Sequence, residues 1–159
     1  MVRRTFTFGS AGLLAGLAAV AASARAQQQA PDVGAISSAN TAFYAALSAR
    51  DIAAVERVWA RDGQVFNIFG ASRAPLVGWT AVRAGYEDLF ARFPELSVSM
   101  AEPQVAQNGD SALVVGVEAL RARLPNGETT SLSLPTTNAF MRRDGRWLLV
   151  HQHSSRPPQ

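Results

Sequence analysis

The 159-residue chain has no cysteine, which excludes disulfide stapling, thiol catalysis, thiolate metal sites and a lipid-modified cysteine. It has no lysine either, so all 15 basic residues are arginine, against 12 acidic residues. A pI near 10.5 would suggest a polyanion-binding protein. However, Arg3, Arg4 and Arg25 lie in an N-terminal segment with the pattern of an export signal. Without them, 12 arginines face 12 acidic residues. A balanced domain without basic clusters carries no footprint for nucleic acid or an anionic membrane. Also absent are a glycine-rich phosphate loop, a paired-carboxylate signature and a nucleophile elbow with Ser-His-Asp order.

Residues 1–26 carry a positive start at Arg3-Arg4, then an apolar Ala- and Leu-rich run from about Gly9 to Ala22. Small residues fit a cleavage site twice, at Ala22-Ser23-Ala24 and Ala24-Arg25-Ala26. The apolar run is shorter than the roughly 20 residues that a membrane-spanning helix needs. A cleaved signal is therefore expected, with membrane contact limited to export. Arg3, Arg4 and Phe6 resemble the twin-arginine motif, although Thr7 and Phe8 stand where Leu-Lys is usual. The resemblance implies export of a folded domain to the periplasm; an ordinary secretory signal leads to the same destination. Residues 27–32 read as a flexible leader, 33–155 as one domain, and 156–159 as a disordered tail.

Within the domain, Ile36, Ala39, Phe43 and Leu47 recur at helical spacing, predicting a helix over Val33–Ala49. Asp51 is a candidate N-cap for a second helix carrying Ile52, Val55, Val58 and Trp59. A strand is expected over Gln64–Phe69 and a loop over Gly70–Gly78. Thr80 is the expected cap of a third helix that ends at Pro94. The period then changes to two. Strands near Leu96–Gln107, Ser111–Leu124, Glu128–Arg142 and Arg146–Ser154 are separated by Asn108-Gly109, Asn126-Gly127 and Asp144-Gly145, all hairpin-turn pairs. Pro135 signals a bulge or bend. Helices first and strands last predict an α+β domain, with the helices on one face of an antiparallel sheet. Several strands are apolar on both faces, so the uncovered face is expected to meet a second subunit in a homodimer.

Four stretches resemble the nuclear transport factor 2-like superfamily, which includes ketosteroid isomerases and SnoaL-like cyclases. They are Phe43–Leu47 followed by Asp51, Trp59–Gly63, Gly78–Val82, and Gly145–Ser154. The resemblance implies a curved sheet wrapped around three helices as a cone whose open end holds a small molecule. Fold alone does not give the activity. By this resemblance the isomerases' base position falls on Asn67, their helix tyrosine on Phe43 and their second aspartate on Asn138. An amide has no proton to give up near neutral pH and a phenyl ring has no hydroxyl to donate, so isomerisation by that route is not expected.

The candidate site residues follow from these positions. Asn67 sits on a strand face between Val65 and Phe69, where an amide needs partners from protein or ligand; Asn138 has the same two readings. His151 and His153 are the only histidines. By alternation they share a face with Trp147 and Leu149, which makes His151 the candidate general acid or base. A His-x-His pair also offers two metal ligands, but with no third visible except Glu118 on another strand, no metal and no cofactor are expected. Trp59 and Tyr86 are candidates for the pocket mouth, although such aromatics also build cores. The expected function is binding of a small, largely apolar molecule, with proton-transfer chemistry of isomerase, cyclase or hydrolase type. A non-catalytic binding protein and an association module stand as alternatives.

Overall fold

In a computed structural model of the protein, residues 32–70 and 72–156 are described. Apart from Asp32 and Arg156, the expected signal, leader and tail lie outside these residues. Helix α1 (Val33–Ala49) buries Ile36, Asn40, Phe43, Tyr44, Ala46 and Leu47, positions three or four apart that form one stripe. It ends in a Schellman-type turn. Arg50 takes a φ of 54°, and the N–H groups of Arg50 and Asp51 reach back to Leu47 and Ala46. Asp51 then caps α2 (Ile52–Val58), its carboxylate accepting from Ala54 N at 3.0 Å.

Strand β1 (Phe66–Ile68) follows, shorter than expected, and β2 (Leu76–Val77) forms within the segment expected as loop. Helix α3 (Trp79–Arg92) starts one residue before Thr80; its N-cap is Gly78 at φ 80°, with no side-chain cap. Four long strands complete the chain: β3 (Glu95–Asn108), β4 (Ser111–Arg123), β5 (Thr129–Arg143) and β6 (Arg146–Ser154). The sheet order is β2-β1-β6-β5-β4-β3. The sheet is mixed rather than purely antiparallel, because β1 runs parallel to β6, with Asn67 opposite Gln152. Helices and curved sheet make an α+β fold of the nuclear transport factor 2-like type, the sheet remaining unclosed.

Three local features bend the sheet along one line. The β3–β4 register slips between Ala101 and Gln104, where Glu102 takes a φ of 48°. Gly116 of β4 lies opposite this slip; a Cβ there would stand 2.8 Å from Ala101 O and 2.8 Å from Met100 Cγ. Pro135 of β5 pairs with Val117 of β4. Its carbonyl accepts from Ser155 N at 2.9 Å, so the N–H it lacks would point to where β6 ends. The bend turns the inner face around the helices. There Phe43, Trp59, Tyr86, Phe69 and Phe90 meet edge-on or tilted with centroids 5.3–6.4 Å apart.

A second irregularity sets the facing of β6. Its register against β5 shifts between Ala139 and Phe140, leaving Val150 as the extra residue. Before the bulge Trp147 and Leu149 point inward; after it Gln152 and Ser154 do. His151 and His153 therefore lie on the outer face, not with Trp147 and Leu149 as strict alternation predicts.

Because the Ala101 carbonyl of β3, together with the Met100 side chain, crowds the Gly116 position, Gly116→Ala is expected to destabilise the domain by about 1–3 kcal/mol. Gly63→Ala, which points into open space, should stay within about 0.5 kcal/mol. Urea unfolding midpoints of the two variants test this. Equal midpoints would show that the bend does not need a glycine.

Candidate functional site

The bend leaves a cavity of about 580 Å³ between α1, α3 and the inner face of the sheet. Its wall is largely apolar, with Leu47, Leu89, Phe93, Val98, Leu120 and Leu134 among the lining residues. Three buried polar side chains interrupt it, Glu118, Gln152 and Ser154, while Asp88, Arg92 and Arg156 line the same cavity from exposed positions.

Glu118 is the centre of the buried group. Alternation along β4 puts it inward with Ala112, Val114 and Ala122. Three side chains donate to one carboxylate oxygen, Oε2: Gln152 Nε2 at 3.1 Å, and Tyr44 OH and Ser154 Oγ at a longer 3.4 Å. Each donor is held in turn. Gln152 Oε1 accepts from Tyr86 OH at 2.8 Å, which fixes the orientation of the amide. Ser154 Oγ lies 3.0 Å from Thr136 Oγ1. Tyr44 OH accepts from Asn138 Nδ2 at 3.2 Å, and the same nitrogen donates to Asn40 Oδ1 at 2.8 Å. The network joins α1, α3, β4, β5 and β6 around a single ionisable group.

Burial penalises the carboxylate and raises the Glu118 pKa from the ordinary 4.5 to about 7, against the opposing hydrogen bonds from Ser154, Tyr44 and Gln152. Burial and the nearby Glu118 charge push Tyr44 well above the phenol range, and burial does the same to Tyr86. Both tyrosines are therefore hydroxyl donors throughout the physiological range, and within this hydrogen-bonded network Glu118 is the group that changes charge near neutrality.

None of the six residues singled out from sequence lines this cavity. Tyr86 and Asn138 stand one hydrogen bond behind it, positioning Gln152 and Tyr44. Trp59 is core. Asn67 is fully buried on β1, inward as expected, and its amide atoms find no hydrogen-bond partner among the described residues, nor does Trp59 Nε1. Burial holds the His151 pKa below its usual value. His151 and His153 sit on the opposite side of the sheet, with ring centroids 6.3 Å apart, so His151 does not reach this cavity as the acid or base expected from alternation. Among the described residues no three His, Asp or Glu side chains converge on a metal position. Sequence reasoning weighed Glu118 only as a third metal ligand beside the histidines and gave Tyr44, Gln152 and Ser154 no part in a site. The signal for Glu118 was a lone acid on the otherwise small, apolar Ala112–Ala122 face of β4.

The Glu118 assignment predicts a specific pH dependence of stability. Below about pH 4.5 the carboxyl is neutral in both folded and unfolded chains. As pH rises the unfolded chain ionises first, so this contribution is lost progressively until the folded carboxyl ionises near pH 7. The full loss is about 3 kcal/mol. Glu118→Gln should thus gain thermal stability relative to the natural protein between pH 4.5 and 7, with a constant difference above. A difference in melting temperature that does not vary with pH would remove the assignment.

Residues 36–159 match the SnoaL-like domain family model. No curated protein sequence matches the chain. Among solved structures, a candidate dehydratase of the NTF2-like family from Streptomyces avermitilis superposes with a TM-score of 0.74 at 25% identity, covering 80% of this chain and 98% of that one. A candidate calcium/calmodulin-dependent protein kinase type II association domain from Thiobacillus denitrificans is 32% identical with a TM-score of 0.61, covering 76% and 93%. A candidate aromatic ring hydroxylase from Novosphingobium aromaticivorans superposes at 0.73 with 20% identity, covering 82% and 94%. The cone, its cavity and the family match agree, and the chain belongs to the SnoaL-like domain family.

Proposed function

We propose that the protein binds a small, largely apolar molecule in the cavity and moves a proton on it, with Glu118 as the acid-base group. The observation that carries this reading is a buried carboxyl with a pKa near 7 on the wall of an apolar cavity. All three hydrogen bonds to Glu118 go to Oε2, leaving Oε1 as the atom for a substrate. An ionised Oε1 takes a proton from a carbon or oxygen of the bound molecule. The same atom then returns it at another position or to a leaving group. Such steps underlie isomerisation and dehydration; the S. avermitilis relative, a candidate dehydratase, is in keeping with that class. The Arg-Arg-x-Phe segment supports a periplasmic setting for this activity.

The proposal includes a homodimer formed through the outer sheet face. Leu113, Val115 and Val117 on β4, Met141 on β5 and Phe66 on β1 are each 38–46% exposed there. A patch of this kind marks an association surface. Sedimentation should give a dimer for the processed protein and a monomer for Val115→Asp. A monomeric natural protein would rule out this arrangement.

Proton transfer is tested with cyclohexanone and larger cyclic ketones in D2O, following α-proton exchange by NMR. Exchange should accelerate as pH passes through about 7, where Glu118 becomes the ionised base. It should fall by about 10²-fold or more in Glu118→Gln, with ketone affinity retained. Exchange undiminished in that variant would exclude Glu118 as the base. Binding without exchange would favour a carrier role, the alternative that the same cavity supports.

A further inference from the structure

The cavity is polar at two levels, and the levels carry opposite charge. At depth lies Glu118, 5% exposed, surrounded by Gln152 and Ser154. At the exposed level lie Arg92, the last residue of α3, and Arg156, just beyond β6, with Asp88 one helical turn before Arg92. Neither guanidinium makes an ion pair or hydrogen bond among the described residues. Other arginines near the helices have partners, Arg83 with Glu56 and Glu87, Arg143 with Asp62, and Arg50 with Pro94 O, whereas Arg92 and Arg156 combine an unpaired guanidinium with a place on the cavity wall. Arg156 is held close to the cavity because its backbone N would lie 3.6 Å from a Cβ on Gly70, another lining residue.

We propose that the ligand is an amphipathic anion, bound with its carboxylate or similar acid group on Arg92 and Arg156 and its neutral end at Glu118. This rests on the binding site described above and specifies its substrate class. Guanidinium groups recognise carboxylates by paired, charge-assisted hydrogen bonds. The reverse orientation would put an anion against a buried carboxylate, where like charges in a desolvated site repel strongly. The apolar lining between the two levels takes the hydrocarbon body. The group presented to Glu118 is therefore uncharged and proton-bearing, a hydroxyl or a carbon next to a carbonyl. Asp88 opposes anion binding at the rim.

The test is equilibrium binding of a chain-matched pair, octanoate and octan-1-ol, to the processed protein by calorimetry at pH 7. It requires no turnover, so its failure is separable from failure of Glu118 as a base. At low salt octanoate should bind about tenfold more tightly than octan-1-ol. The ratio should approach one in about 1 M NaCl, where screening acts within about 3 Å, and also in the Arg92→Gln/Arg156→Gln double variant. Asp88→Asn should raise the ratio, and Arg121→Gln, which does not line the cavity, should leave it unchanged. These arginines are exposed, so the double variant is expected to fold, which circular dichroism will verify. Equal or tighter binding of the alcohol, a ratio unchanged in the double variant, or binding of neither probe would overturn the proposal.

Discussion

Side chains from helix α1 and strand β6 donate to one oxygen of Glu118, and most of the site's geometry follows from keeping that buried acid satisfied. Gln152 serves it only because Tyr86 fixes the amide orientation from α3. Tyr44 serves it only because Asn138 and Asn40 hold the phenol from β5 and α1. Three donors on Oε2 offset part of the cost of burying this ionisable group, while Oε1 has no donor among the described residues. The network therefore also acts as a clamp, tying the long helix to the middle and the end of the sheet across an apolar cavity that would otherwise separate them.

The sheet's irregularities are what bring these groups together. On an evenly pleated β6, Gln152 and Ser154 would face outward, and His151 and His153 would take their places. Val150 reverses this with one extra residue. On the other side, the slip between Ala101 and Gln104, the bare Gly116 and the ring of Pro135 turn the sheet so that β4 presents Glu118 toward α1. The β6 bulge and the bend of the sheet thus decide which residues line the cavity.

That explains what the sequence made legible. Helices α1, α2 and α3 and the four long strands follow from 3.6- and 2-residue periods and three hairpin pairs, because those signals are local. The short β2, whose pairing depends on β1 rather than on its own residues, could not be seen. The histidines were misplaced because a bulge leaves no compositional mark and reverses every facing after it. Glu118 was undervalued for a different reason. The outer face of β4 carries Leu113, Val115 and Val117, larger than the inner Ala112, Val114 and Gly116. Hydrophobicity alone would assign the outer face to the core and the acid to solvent. Only packing against α1 and α3 shows which face is enclosed.

A glutamine at position 118 could accept hydrogen bonds from the same donors without a charge to desolvate. The acid therefore weakens the fold at neutral pH while adding no contact that an amide would lack. Structural reasons account for Tyr86, Asn138 and Thr136, each of which supports a neighbour, but not for an ionisable group at the place where they converge. A residue that breaks the rules of core design without local compensation is the kind expected at a working site. The cavity beside it provides a reason under the proposed function, in which the uncharged end of a ligand would meet a carboxyl whose pKa lies near 7.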